Sequence, residues 1–203
     1  MIDDVVARLG EFEDRRKIAD LILDYCRGVD RCDDALLRAT YWPDAVDDHG
    51  AGDRPAMAFC DRVLPILREH CISTMHLVAN SRVTLQGNRA FAETYVVARH
   101  YLGSARSLEV FVGAAAAETI LGAFPKPARD APFEYHAGGR YLDRVERREG
   151  EWRFAHRRLV FDWTEAHPAS PALLVDIGRT FGRRDPSDAA YALFASSGPE
   201  DAR

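Results

Sequence analysis

The first part of the chain repeats apolar residues at helical spacing. From residue 16 to residue 30 they recur at every third or fourth position, on one face of an α-helix: Ile18, Leu21, Ile22, Tyr25 and Val29. This face must be buried, and Asp30 follows it directly at the edge of the interior. We predict a short helix over residues 2–9, this long helix from residue 11, and two further helices over residues 33–40 and 56–69.

From Ser73 onward the period of the pattern changes to two, which is typical of an antiparallel sheet. Strands over residues 73–85 and 91–102 bring His76 and His100 to adjacent strands of one hairpin. Further strands are predicted over residues 45–48, 108–112, 140–147 and 152–163, with a long loop before the last two. Helices followed by antiparallel strands indicate an α+β domain, in which a curved sheet folds around a helical layer and encloses a pocket.

Composition sets limits on the class of protein. A chain of 203 residues with 47% hydrophobic content supports one core, so we divide it into a domain over residues 1–163 and an extension over residues 164–203. The net charge of −5 disfavours nucleic acid and anionic membranes as partners. No apolar run reaches the roughly 18 residues that span a bilayer, and the acidic N-terminus is unlike a signal peptide, so a cytoplasmic protein with reduced cysteines is expected.

The candidate catalytic residues have ordinary interpretations when each is taken alone. Asp30 could, with Asp33 and Asp34, cap the next short helix, because aspartate is a preferred N-cap residue. His76 could be a structural histidine of the core. We interpret His49 and His70 as surface residues.

Four segments together resemble the SnoaL-like branch of the nuclear transport factor 2-like superfamily. They are YCRGVD at residues 25–30, STMH at 73–76, ARH at 98–100, and GGRY from residue 138 continuing through ERREGEW to Arg157. The resemblance covers about residues 15–163 and implies a cone-shaped α+β barrel. It also implies chemistry like that of the family's dehydratases and dehydrochlorinase, which are lyases that need no cofactor.

The resemblance further implies roles for individual residues. Asp30 and His76 would form a catalytic dyad that Arg157 supports, and Tyr25 and His100 would face the substrate. An aspartate bonded to one imidazole nitrogen fixes the tautomer and raises the basicity of the other nitrogen, which makes histidine a usable base at neutral pH. Two further residues, Tyr141 and Trp42, are assigned to substrate binding. Gly139 and Tyr141 replace the serine and asparagine of scytalone dehydratase, so its substrate contacts are not reproduced.

The sequence therefore predicts a cofactor-independent lyase that acts on a hydrophobic, aromatic or polycyclic small molecule. Elimination of water or halide and retro-aldol C–C cleavage both fit one base, and isomerisation or cyclisation stays open. The alternative is a ligand-binding or structural subunit, like the small subunit of ring-hydroxylating dioxygenases. No GxSxG, P-loop or GxGxxG motif is present. A metal is not expected from motif spacing, although His49, His76 and His100 could meet in space.

Two features of the pattern concern assembly. The strand over residues 91–102 carries apolar residues on both faces, which predicts a homo-oligomer, a trimer or a dimer by the resemblance.

The extension over residues 164–203 carries an apolar stripe that needs a cover: Leu173, Leu174, Ile177 and Phe181. It could form a lid over the pocket, an arm across a neighbouring subunit, or a helix packed on the outer surface.

Overall fold

A long N-terminal helix organises the fold. The computed structural model describes residues 1–50, 52–125, 131–169 and 180–196. Helix α1 runs without a break over Ile2–Asp30, so the prediction of two separate helices is wrong. Gly10 lies at an exposed position between strong helix formers, and a single glycine there costs only about 1 kcal/mol. The buried face of α1 is the predicted one, from Ile18 to Val29.

The other predicted helices and strands are present in the predicted order, except that one predicted strand is a helix. Three elements were not predicted: a two-residue strand, a second helix in the expected long loop, and a C-terminal helix. The elements after α1 are α2 (Asp34–Ala39), β1 (Tyr41–Asp48), β2 (Arg54–Pro55), α3 (Ala56–His70), β3 (Cys71–Gln86), β4 (Arg89–Leu102), α4 (Ala105–Val112), α5 (Ala114–Gly122), β5 (Phe133–Arg148), β6 (Glu151–Pro168) and α6 (Ala189–Ser196). β6 passes residue 163, so the sheet extends beyond the boundary that we predicted for the domain.

The predicted strand over residues 108–112 is wrong, because this segment is helix α4. Ser104 caps the helix, and its hydroxyl accepts a hydrogen bond from the Ser107 backbone amide at 3.3 Å. Ala105 and Leu108 are buried three positions apart, which is a helical repeat. A short apolar run has the same appearance in a buried helix and in a strand, and here the cap decides between them.

The six strands form one mixed, open sheet in the order β2-β1-β6-β5-β4-β3. β1 runs parallel to β6, whereas the other neighbours are antiparallel. α1 packs on β3 and β6, and α3 packs on β1 and β3, so both helices cover the same sheet. This arrangement is the cone-shaped α+β fold that the sequence predicted.

Two glycines allow β5 and β6 to approach each other closely. A Cβ atom added to Gly138 would lie 2.2 Å from the indole of Trp163, and one added to Gly139 would lie 2.2 Å from the Val160 carbonyl oxygen. The pairing of the two strands shifts register between these glycines. The glycines of the GGRY segment are therefore required by the backbone, and they place Tyr141 further along the same strand.

The C-terminal extension returns to the end of α1. Arg184 donates hydrogen bonds to the backbone carbonyls of Leu67 (2.6 Å) and Cys71 (2.8 Å), which tie the end of α3 to the start of β3. Arg31 forms an ion pair with Asp188 at 3.0 Å. Three residues of the predicted stripe, Leu173, Leu174 and Ile177, lie outside the described residues, and the fourth, Phe181, is 45% exposed. No helix in the described part of the chain is both long and apolar enough to cross a bilayer.

Candidate active site

A cavity of about 170 Å³ lies between the sheet and helices α1, α3 and α4. Its wall is mainly aromatic and aliphatic, with apolar side chains from each of the three helices: Val29, Phe59, Val63, Ile66 and Phe111. The polar groups in the wall are few and converge from different elements: Tyr25, His49, Arg62, His76, His100, Tyr135 and Tyr141. Such an enclosure with few polar groups is typical of a small-molecule site.

Asp30 and His76 form a hydrogen-bonded pair at the wall of this cavity. The Asp30 carboxylate accepts from the His76 ring Nδ1 at 2.7 Å and from the His76 backbone amide at 2.9 Å. Asp30 is the last residue of α1 and 8% exposed, and His76 projects from β3. Because Nδ1 is bonded to Asp30, Nε2 is the nitrogen that His76 has available for the cavity.

The capping interpretation therefore holds for Asp33 and not for Asp30. The Asp33 side chain accepts from the Leu36 amide at 3.0 Å and caps α2. Burial alone would raise the pKa of the Asp30 carboxyl, but its hydrogen bonds with His76 outweigh burial and hold the pKa below its usual value. Asp30 is thus ionised at neutral pH and favours a proton on the facing nitrogen of His76.

His100 lies next to His76 but in a drier environment. The two imidazole rings meet edge to face with their centroids 5.6 Å apart. Burial, together with the neighbouring His76, lowers the pKa of His100 to about 3, so its ring is neutral at neutral pH. Its buried Nδ1 has no hydrogen-bond partner among the described residues. A buried ring nitrogen in this state can accept or donate one hydrogen bond to a bound molecule.

A second carboxylate–imidazole pair, which the sequence analysis missed, lies in the same cavity. Asp47 is 2% exposed on β1 and bonds the His49 ring Nδ1 at 2.5 Å. The Tyr25 hydroxyl is 3.1 Å from the other ring nitrogen of His49. His49 is therefore part of the cavity wall, stacked on Phe59 at 4.4 Å, and its interpretation as a surface residue is wrong.

Tyr25 is a protonated phenol held over a buried cation. Burial and the neighbouring Tyr141 and Asp47 raise the pKa of Tyr25 well above its usual value. The Arg157 guanidinium lies 4.1 Å from the centre of the Tyr25 ring. Tyr25 therefore acts at neutral pH as a hydrogen-bond donor of fixed position.

Arg157 does not contact the dyad as expected. It is fully buried, and it donates two hydrogen bonds, of 2.8 and 2.7 Å, to Asp143. Its guanidinium also packs against Tyr141 and Phe154, and it is not among the residues that line the cavity. Any effect of Arg157 on a substrate passes through Tyr25 or Tyr141.

The other two assigned binding residues differ in their placement. Tyr141 is 2% exposed, lines the cavity and meets the Tyr25 ring edge to face at 5.6 Å. Trp42 is not in the cavity wall, and its assignment to substrate binding is wrong on position. Its indole donates to the Glu146 carbonyl at 3.0 Å and packs under the guanidinium of Arg148. These contacts indicate that Trp42 supports the packing of β1 against the turn between β5 and β6.

Potential metal ligands gather elsewhere. Within the described ranges, one group of three side chains has metal-ligating atoms close enough to share an ion, formed by Glu134, His136 and His167. These residues lie on β5 and β6, whereas His49, His76 and His100 do not form such a group. The cavity therefore offers proton-transfer groups and no cluster of metal ligands among the residues described.

Comparison with solved structures identifies the same fold in several proteins. A hexachlorocyclohexane dehydrochlorinase, LinA type 2, superposes with a TM-score of 0.60 at 19% identity, covering 82% of this chain and 99% of that one. A candidate scytalone dehydratase from Novosphingobium aromaticivorans gives 0.57 at 18% identity, covering 84% and 97%. A candidate aromatic ring hydroxylase from the same organism gives 0.57 at 20% identity, covering 78% and 94%.

Sequence comparison supplies the family. No curated protein matches the chain significantly. The family model described as a SnoaL-like domain matches residues 10–158, which include both carboxylate–imidazole pairs. The chain therefore belongs to the SnoaL-like domain family.

Proposed function

We propose that this protein is a cofactor-independent lyase that acts on a small, hydrophobic ring compound. The observation that supports the proposal best is the Asp30–His76 pair, whose free imidazole nitrogen belongs to the wall of an apolar cavity. Burying an ionised aspartate costs free energy, and a purely structural pair does not require that the partner ring also belong to the wall of a cavity, as His76 does. The named relatives, a dehydrochlorinase and a candidate dehydratase, support the same class of reaction.

In the proposed reaction His76 is the general base. Its Nε2 removes a proton from the carbon adjacent to the one that bears the leaving group, and the electrons of that C–H bond form the double bond as the leaving group departs. The imidazolium that forms is stabilised by the Asp30 carboxylate. General-base catalysis of this kind contributes roughly 10²- to 10⁴-fold to the rate. The dry surroundings strengthen the pairing because competing water is excluded.

The second pair supplies an acid, and this favours an oxygen leaving group. Tyr25 donates its hydroxyl proton to the departing oxygen, which leaves as water, while His49, with Asp47 behind it, holds the phenol in place. After the product leaves, the phenolate regains a proton from solvent and His76 releases the proton that it took. A hydroxide ion is a poor leaving group and needs that proton, whereas a halide departs without one. Dehydration therefore fits the arrangement better than dehydrohalogenation, and retro-aldol cleavage, which also develops charge on an oxygen, remains a second form of the proposal.

The volume of the cavity limits the substrate. A cavity of about 170 Å³ is close to the ~150 Å³ apolar cavity that holds one benzene molecule. We therefore propose a single substituted ring rather than a polycyclic compound. The unpartnered Nδ1 of His100 and the Tyr141 hydroxyl are available to bond its polar substituents.

The proposal is tested by turnover without additives. The purified full chain is screened against hydroxylated and halogenated single-ring compounds, with no cofactor added, and product formation is followed by chromatography. We expect elimination from hydroxylated compounds and its loss in the His76→Ala variant. Tight binding of a compound that neither the wild-type chain nor the His76→Ala variant converts would instead support the ligand-binding alternative.

We also propose that the protein is a homo-oligomer. The face of the sheet opposite the cavity exposes apolar side chains to between 43% and 62%: Met75, Leu77, Tyr95, Val97 and Trp163. They come from β3, β4 and β6, and such a patch is typical of an interface. Light scattering at micromolar concentration should give a multiple of the 22.7 kDa chain mass.

A further inference from the structure

Two matching tripeptides face each other on β5 and β6. Glu134-Tyr135-His136 and Glu165-Ala166-His167 run antiparallel, so that Glu134 pairs with His167 and His136 pairs with Glu165. Tyr135, which lies between Glu134 and His136, lines the cavity. Because neighbouring residues of a strand point to opposite faces, the two glutamates and two histidines lie on the face of the sheet away from the cavity.

Both ring nitrogens of His136 lie near carboxylate oxygens, and the Nδ1 atom of each of the two histidines has an oxygen acceptor. His136 Nδ1 donates to Glu165 at 3.2 Å, and His167 Nδ1 donates to the Pro168 carbonyl at 3.2 Å. A neutral imidazole with its proton on Nδ1 has a lone pair on Nε2. The His136 Nε2 atom lies 2.8 Å from a carboxylate oxygen of Glu134, which also carries lone pairs. These two atoms repel each other unless a cation lies between them, either a proton or a metal ion.

We propose that Glu134, His136 and His167 bind one divalent metal ion of the zinc class, through the carboxylate and the two Nε2 atoms. Their ligand atoms lie within 4.8 Å of one another, so small side-chain movements suffice to bring all three to the roughly 2.0–2.2 Å that zinc requires. Imidazole and carboxylate donors suit zinc, cobalt and nickel ions.

The surroundings of the cluster support a metal site. Histidines that bind a metal characteristically donate their second ring N–H to a carboxylate or a backbone carbonyl, and here Glu165 and Pro168 accept these bonds. Arg99 donates to Glu134 at 2.8 Å and holds the carboxylate in place beside the two rings.

Zinc titration of the intact protein tests the site. The full chain is stripped with a chelator, dialysed and titrated with zinc chloride in a calorimeter, and cobalt absorption is recorded in parallel. We expect one ion per chain, and at least about 100-fold weaker binding in His136→Ala and His167→Ala. Glu165→Gln removes only an outer partner and should weaken binding by about 10- to 100-fold.

Two controls separate this site from other histidines. His156 also lies on β6 and bonds a carboxylate, Asp53, at 3.1 Å outside the cluster, so His156→Ala should bind zinc as the wild type does. His76→Ala should do so too. The proposal is wrong if the wild-type chain shows no binding up to millimolar zinc, if both cluster variants keep wild-type affinity, or if His76→Ala abolishes binding. Circular dichroism confirms that each variant is folded.

Discussion

The two carboxylate–imidazole pairs of the cavity are built differently and leave different groups free. Asp30 and His76 are 46 residues apart and meet because the end of a helix packs against a strand. Asp47 and His49 are two residues apart at the end of one strand. The first pair leaves a bare imidazole nitrogen for the cavity, whereas the second pair ends in the Tyr25 phenol.

This difference indicates that the two pairs have different functions, one as the base and the other as part of the acid. A histidine backed by an ionised carboxylate, with its other nitrogen free, is suited to take a proton. A phenol that burial keeps protonated at neutral pH, and that a histidine holds in position, is placed to donate one. Pairs of groups whose surroundings separate their proton affinities are how one site provides both an acid and a base at the same pH.

The largest effect should follow removal of the base. His76→Ala leaves Asp30 ionised without a ring to receive its bond, and we expect kcat to fall by about 10³-fold or more, within the range of general-base catalysis. The measurement is steady-state turnover of the substrate identified by screening. His156→Ala, which alters a partly buried histidine on β6 outside the cavity wall, should retain wild-type turnover. Unchanged turnover in His76→Ala would refute the assignment of the base.

A smaller and substrate-dependent effect should follow removal of the acid. Tyr25→Phe removes one hydroxyl and keeps the ring over Arg157, so folding should persist. We expect kcat for a hydroxyl leaving group to fall by about 10- to 100-fold, at the low end of acid–base effects. Turnover of a matched halide should change little. The ratio of the two kcat values is the measurement, and an equal loss for both leaving groups would contradict the role of Tyr25 as acid.

The same contrast explains what could be predicted from the sequence. Asp30 was found because a long helical repeat ends at it, and His76 because strand periodicity and the family resemblance agree on it. Asp47 and His49 were missed because β1 ends at Asp48, as predicted, and a histidine just past the end of a strand was interpreted as a surface residue. The signal was nevertheless present: Ala45, Asp47 and His49 alternate along one face, and two of the three are buried.

Other failures have equally specific causes. The strand expected at residues 108–112 is a helix because Ser104 caps it, and a cap four residues before an apolar run outweighs the β propensity of that run. Arg157 was expected at the dyad, but Asp143 on the adjacent strand holds it instead. That pairing joins side chains of two strands, so the sequence position of Arg157 could not reveal its partner.

The third prediction concerns stability around the base. The folded pKa of His100 is about 3, below the roughly 6.5 of the unfolded chain, so the unfolded state binds the extra proton between these values. Stability from the neutral buried ring is therefore complete above about pH 6.5 and is lost as the pH falls toward 3. The limiting slope is about 1.4 kcal/mol per pH unit. Urea unfolding should show that His100→Gln has a flatter dependence below pH 6.5 and a dependence parallel to wild type above pH 7. Identical slopes in both ranges would contradict the burial of a neutral ring.

The smallest effect should come from the extension, which supports the Asp30 end of the cavity and not the Asp47 end. Arg184 binds the carbonyls of Leu67 and Cys71 and reaches the Asp30 carbonyl at 3.4 Å. A hydrogen bond to a charged group contributes about 1.5–3 kcal/mol when buried, and this partly buried cluster should contribute about 1–2 kcal/mol. Arg184→Ala should therefore lower Tm by about 2–8 °C.

The effect of Arg184→Ala on turnover shows whether the extension supports Asp30 specifically or stabilises the fold as a whole. Loosening the end of α1 displaces Asp30, so kcat should fall a few-fold while the hydroxyl-to-halide ratio, which reports on Tyr25, stays at the wild-type value. The adjacent exposed Arg183 offers a matched control, since Arg183→Ala makes the same substitution one position away and keeps the Arg184 bonds. An equal loss of Tm in both variants, or a changed ratio in Arg184→Ala, would show that the extension acts on the whole fold and not on the base.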